Sequence, residues 1–465
     1  MQAQQTPVLE RARVEALSTR QMEPRWLAER RLEALELANR TPYPRWERTD
    51  LSGLDLDRLL REACGPNGTP REAQATVPAP AVATDSDDTG WLGEVDVPAA
   101  FREAVGRRDG AAVLLVVATR EGGFRTAAWV DPELARQGVA VLSLQQAVRR
   151  HEAVVQRHLM TRVAPPSTGK FAAVNGALWD TGALLYVPDG VQVDAPVEVI
   201  LWAEGGRRAV FPRTLVVLGD EARLRLVETW GSSPAHEPML VAGVVELVAG
   251  PASHLEYAPI QRWGPQALAF THHRAVLERD SRLEWVVAEF GARLTRGEFD
   301  TALEGPGSQS QSIMVFFAGK DQHMDFVNAM VHRGTHTDSD IVARGVLSGQ
   351  ARGVYGAVTH IHRGARASGS WQKGNILVLS QDARADANPS VVVEESEVQR
   401  AGHAATVGKV DPEQLFYLMS RGIPERTAIR LIVEGFLQPV LERVPIASVR
   451  EQVVRLVNER LEGAG

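Results

Sequence analysis

Few side chains in this 465-residue chain combine a reactive type with a spacing that chemistry would require. Five histidines gather in its later part: His323, His332, His336, His360 and His362. His360 and His362 alternate as two residues on one face of a strand would. Neutral imidazole is a good ligand for borderline metals, yet no HExxH or CxxC pattern accompanies these residues, so their types alone favour packing or hydrogen bonding. His403 stands apart among Ala401, Gly402, Ala404 and Ala405, small neighbours that let other backbone approach closely. It is either a hydrogen-bonding cap on the segment before it or a ligand. The single cysteine, Cys64, excludes an internal disulfide and any CxxC redox or metal site. Ala164–Phe171 (APPSTGKF) resembles a phosphate-binding loop superficially. It lacks the opening glycine of the cradle and the hydroxyl residue that would ligate magnesium. Gly305-Pro306-Gly307 likewise lacks the third glycine of a dinucleotide turn, and no helical pattern follows it. Neither is read as a nucleotide site.

The elements that must position these groups change character along the chain. Residues 1–63 read as helices, with Ala28, Leu32, Leu35 and Leu37 near helical spacing and Pro42 and Pro44 closing the segment. Residues 64–90 are Pro-, Ala- and Thr-rich without periodicity, which predicts a linker or mobile loop. A small mixed α/β segment follows at 91–165, with strands at 111–118 and 139–142 and a helix at 144–158. From 166 to 408 the pattern becomes short β-type runs broken by turns. One turn family falls at Asp189, Asp220, Gly250, Asp280, Gly307, Gly334 and Gly364, about 27 to 31 residues apart, and a second lies between them. Two alternating turn families predict a coil that gives one strand to each of two facing sheets, a β-solenoid; the competing arrangement is an antiparallel sandwich with regular hairpins.

The stretch 398–410 reads as irregular, and a helical domain at 409–465 follows it. Asp411 is a fitting N-cap, Pro412 suits the first helical position, and Gln414 at N3 completes a capping-box-like pattern. Gly422 is placed to end that helix and Pro424 to open the next. Ile429, Ile432, Val433, Phe436, Leu437, Val440 and Leu441 recur at helical spacing, and Pro439 is expected to kink or split the helix. With little interior of its own, this tail must pack its apolar faces on the solenoid end or on a partner.

Composition bounds the function classes. Hydrophobic residues make up 44% and charged residues 23%, ordinary for a soluble globular protein. A net charge of −7 without a Lys/Arg block argues against nucleic-acid binding. The longest apolar run, Ala111–Ala118, is far short of the ~20 residues that cross a bilayer, and the amino terminus lacks the apolar core of a signal peptide. A cytoplasmic protein without membrane association is expected.

Three long stretches carry a family resemblance: HAATVGKVDPEQLFYLMSRGIP from His403, KFAAVNGALWDTGALLYVPDGVQVDAPVEV from Lys170, and PRWLAERRLEALELANRTPYPRWERTDLSG from Pro24. Together they make the chain resemble the SufB/SufD family of iron–sulfur cluster assembly proteins. The resemblance implies a mainly β fold, a right-handed parallel β-helix flanked by helical domains. It implies a non-enzymatic scaffold that pairs with SufB through the β-helix end and binds the ATPase SufC through its carboxy-terminal helices. Leu415, Phe416, Tyr417 and Met419 are then candidate SufC anchors, the alternative being the tail's own core. It assigns His403 to a transient iron–sulfur cluster shared with the partner, none being held stably by this chain alone. Some family members carry Cys two residues before this histidine, where this chain has Ala401, and the Gln381–Ser390 stretch has no cysteine, as in SufD rather than SufB. Two rival readings remain: a SufB-like homodimeric scaffold, and a β-helix enzyme acting on acidic polysaccharides.

Overall fold

The computed structural model describes residues 9–64, 90–106, 110–120 and 123–462; the linker expected at 64–90 falls almost wholly outside these residues. Turn residues spaced by one coil, with apolar runs between them, wind the chain into a β-solenoid of about eight turns built on two facing ten-stranded sheets. In the first sheet Leu224, Leu255, Leu283, Ser310, Ser339, Ser370 and Ala401 are successive parallel partners. In the second, Val245, His273, Phe299, Asn328, Ala357 and Pro389 stack in the same way. These residues point between the sheets, where Leu224, Leu255, Leu283, Trp285, Phe299, Phe316 and Phe326 form a continuous buried core. Each such side chain contributes roughly 1.5–3 kcal/mol of hydrophobic stabilisation.

One turn family is built on left-handed residues: Gly190, Glu221, Ala252, Asp280, Gly307, His336 and Ala367 all have φ between 54° and 74°. Each donates its amide to a carbonyl of the next coil, as in Glu221 N to Pro251 O and His336 N to Arg366 O, both 2.8 Å. His336 is therefore a turn residue. The turn that the dinucleotide comparison touched is another of the set, with Gly307 at φ 74°.

The segment read as a separate mixed region adds strands to the same sheets. Ala112–Ala118 pairs in parallel with Gln192–Ala203 and antiparallel with Phe124–Val130, while Ala140–Ser143 pairs antiparallel with Thr181–Val187. The single helix expected at 144–158 is two, Leu144–Arg150 and Glu152–His158, because His151 leaves helical geometry between them.

Helices cover the outer faces. Arg25–Arg40, Leu56–Cys64 and Lys170–Leu178 pack on the second sheet, where Phe171 stacks on Phe270 at 3.8 Å. Lys170, from the loop that resembled a phosphate site, is buried there; its Nζ donates to Ala38 O at 2.5 Å and sits 4.6 Å from the Tyr43 ring. The tail packs on the flank of the solenoid, not on its end. Glu425–Leu441 and Ala447–Glu462 set Val433, Leu437, Val440, Val449, Val453 and Val457 against Ile260, Val286, Phe290, Ile313, Val315 and Phe317 of the first sheet. The first of these helices continues through Pro439 unsplit, since a proline two positions from the end removes only one late backbone bond. Asp411 caps Pro412–Ser420 by accepting from Glu413 N, and Gly422 closes it at φ 84°.

A buried ion pair on the second sheet ties the 160–175 segment to the solenoid. Arg213 and Glu246 are both inaccessible and meet at 2.6 Å; Arg213 also donates to Asn175 Oδ1 and Ala164 O, and Glu246 accepts from Met160 N. Truncating one partner strands the other charge in an apolar setting. Arg213→Met is expected to destabilise the chain by about 3–5 kcal/mol in urea unfolding, whereas a double Arg213→Met, Glu246→Leu variant should recover much of that loss.

Candidate functional site

The stretch read as irregular is a strand, Arg400–Lys409, paired over its whole length with Gly369–Val378. Its Gly- and Ala-rich composition has low strand propensity, but in-register pairing with the preceding coil outweighs it. This strand ends the first sheet, and Arg384–Val393 ends the second. Both edges are ten residues long and expose apolar side chains: Val392 at 44%, Val393 at 41% and Val407 at 47%.

Register fixes where His403 points. Its partner is Gln372, which is buried and reaches across the interior to Thr359 Oγ1 at 2.6 Å and Ser390 O at 3.2 Å. Paired residues share a face, so His403 belongs to the inward face of the last coil, open to solvent because no further coil covers it. Gln372 Oε1, beneath it, is buried without a hydrogen-bond partner among the described residues. Gly402 lies on the opposite face, where a Cβ would come 2.4 Å from Trp371 Cζ3.

Behind His403 runs a polar path. His332 Nε2 contacts Ser339 Oγ at 2.9 Å, Ser339 donates to Ser370, Ser370 meets Thr359, and Thr359 accepts from Gln372. Burial lowers the His332 pKa to about 4, so the ring is neutral at physiological pH. His323 is held differently, against Thr49 Oγ1 at 2.8 Å, with burial again lowering its pKa. His360 and His362, whose types favour packing or hydrogen bonding, converge on Glu394 of the following coil.

The expected SufC anchors do not form the tail's core. Phe416 is 73% exposed, Tyr417 57% and Met419 44%, while Leu415 is half-buried; Pro412–Ser420 has no buried residue at all. Cys64 closes the helix Leu56–Cys64, outside the terminal coil.

Sequence reasoning missed a polar group deep in the solenoid. Glu228 accepts from Tyr257 Oη at 2.5 Å and Thr214 Oγ1 at 2.6 Å, and with Thr271, His273 and Glu289 it lines a small interior gap. Burial raises the carboxyl pKa of Glu228, carries that of Glu289 to about 8, and lowers the His273 ring to about 3. Only the coil spacing links these residues, so each looks isolated in the linear chain.

The molecule is thus a β-solenoid with an open terminal coil and an inward imidazole on its last strand. Comparison with known proteins places it further. The SUF system FeS cluster assembly, SufBD core domain, matches residues 201–436, and the SufBD protein N-terminal region matches residues 115–199. The chain is 28% identical to the iron–sulfur cluster assembly protein SufD of Bacillus subtilis, over 97% of each chain. It is also 28% identical to SufB of that organism, over 97% of this chain and 92% of the relative, and a SufBD family protein of Staphylococcus epidermidis matches to the same degree. The chain belongs to the SufB/SufD family of iron–sulfur cluster assembly proteins. Among the described residues no helix is long and apolar enough to cross a membrane.

The buried carboxyl gives a pH test. A folded-state pKa near 8, against an ordinary 4.5, means that native Glu289 keeps its proton while the unfolded chain releases it. Native stability therefore falls as pH rises from about 4.5 to about 8. Glu289→Gln removes that loss. Its stability gain over the parent chain, read from thermal melts, should be larger at pH 8 than at pH 5 by on the order of 1 kcal/mol or more.

Proposed function

We propose that this chain is the SufD-like scaffold subunit of a SUF assembly machine, working in the cytoplasm without catalysing a reaction of its own. Its terminal coil pairs with a cysteine-bearing SufB partner, and a nascent iron–sulfur cluster forms between them. The observation that carries the reading is His403: an imidazole on the inward face of an edge strand, paired with Gln372, whose buried Oε1 lacks a donor among the described residues. Open edges of this length present unpaired amides and carbonyls that a partner strand can satisfy. The chain's sole cysteine is Cys64, and iron–sulfur clusters are usually held by several thiolates, so another chain must supply the sulfur ligands. The cluster is cargo, shared and passed on.

The Pro412–Ser420 helix is assigned to SufC. It stands off the core and shows Phe416, Tyr417 and Met419 to solvent, an apolar patch of the kind that marks a docking face.

Two experiments test these assignments in the complex purified with its SufB-type and SufC-type partners. His403→Ala should leave subunit stoichiometry and ATPase activity near those of the parent complex and abolish cluster delivery to an apo-acceptor; delivery at the parent level would remove His403 from the site. Substituting Phe416, Tyr417 and Met419 together by Ser should release SufC while SufB stays bound. Point changes serve better than removing residues 411–465, because the helices beyond Pro424 cover Phe290 and Phe317 of the solenoid itself. Retention of SufC by the triple variant would place its contact elsewhere.

A further inference from the structure

On the outer side of the last two coils, His360, His362 and Glu394 bring one ligand atom each within 4.8 Å of one another. His360 lies near the end of strand Arg352–Ile361, and its partner in the terminal coil is Val392; His362 and Glu394 leave their strands side by side. The backbone holds both: His362 N donates to His332 O at 3.0 Å, and Glu394 N to Ile361 O at 2.9 Å. The two rings lie 3.7 Å apart, centroid to centroid. His360 Nε2 and His362 Nδ1 each sit 3.3 Å from a different oxygen of the Glu394 carboxylate. His360 Nε2 is buried and, despite that closeness, makes no hydrogen bond of acceptable direction among the described residues.

An ordinary His–Glu pair needs one ring and one carboxylate oxygen. Here two rings in contact face one carboxylate, with His362 Nδ1 in hydrogen-bond reach of Glu394 Oε2, so that three ligand atoms converge on one small space. Ligand atoms around a first-row divalent ion at ~2.0–2.2 Å stand roughly 3.0–3.5 Å apart, the separation already present between each ring and the carboxylate. Two imidazoles and a carboxylate suit zinc, ferrous iron or cobalt rather than calcium or magnesium, which favour all-oxygen sites. We propose that His360, His362 and Glu394 form a surface site for one divalent first-row transition metal, with positions left open to water or to a further ligand. The site is distinct from His403, which faces inward from the other sheet, and it does not depend on the assembly reading.

The test uses the full-length chain carrying Cys64→Ser, so that the thiol contributes nothing, titrated anaerobically with cobalt(II) as the spectroscopic probe and with zinc(II) in competition. One equivalent of cobalt is expected, with visible d–d bands that zinc abolishes. His360→Asn with His362→Asn, and separately Glu394→Gln, should each weaken that binding by at least about tenfold, while His403→Ala leaves it unchanged. Circular dichroism of each variant should match the parent, the three side chains lying outside the core. Binding of unaltered stoichiometry and affinity in the His360/His362 variant would overturn the proposal, as would a parent chain that takes up no cobalt at millimolar metal.

Discussion

In-register stacking of parallel coils is the constraint on which everything else in this molecule rests. The left-handed turn residues pass their amides to the next coil without slipping, from Gly190 N to Asp220 O at one end to Ala367 N to Glu397 O at the other. A strand has a side-chain period of two, so a slip of one residue would send each inward side chain out and each outward one in. The register that stacks Leu224 on Leu255 and Leu283 also sets His403 above Gln372 and faces His360 outward. Core packing and site geometry are therefore one property, and a change that shifts a turn moves both.

The two ends of the solenoid are finished differently. At the amino-terminal end the second sheet stops at Ala140–Ser143, an antiparallel strand of four residues, and the first stops at Phe124–Val130, also antiparallel. An edge strand of four residues offers little template for further pairing. At the carboxyl end both sheets stop at full-length parallel strands with exposed valines. The interior differs in parallel with this. Its middle buries Glu228, Tyr257, His273 and Glu289 out of reach of solvent, whereas the later coils carry a chain of hydroxyls and amides from His332 to Gln372 that arrives at the open face.

Much of this was legible because a coil is a repeat. Turn positions at Asp280 and Gly307 coincide with left-handed residues, and the spacing alone indicated one strand per sheet per coil. The terminal strand was not legible, since AGHAATVG has no β-branched alternation and takes its conformation from Gly369–Val378. Nor was the meeting of His360 and His362 with Glu394, because a partner one coil away looks remote in a linear reading; aligning the chain on its own period would have brought them together. The tail's docking surface was misplaced for a related reason. An amphipathic helix announces that it has an apolar face but not which face of the solenoid receives it, and here Val286, Phe290 and Phe317 on the outside of the first sheet do.

The same register also determines what a partner strand would meet. A strand added to the Arg400–Lys409 edge would lie about 4.8 Å away, the ordinary spacing between neighbours in a sheet. In the proposed assembly, its residue paired with His403 would share the inward face and lie beside the imidazole. The side chains around His403 on that face are Ala401 and Ala405, partners of Ser370 and Gly374, so the space is left by small residues instead of by a cavity. A site made this way exists only when two coils are in register. Its selectivity for a partner then comes from strand pairing, and its chemistry from which side chain the partner places opposite the imidazole.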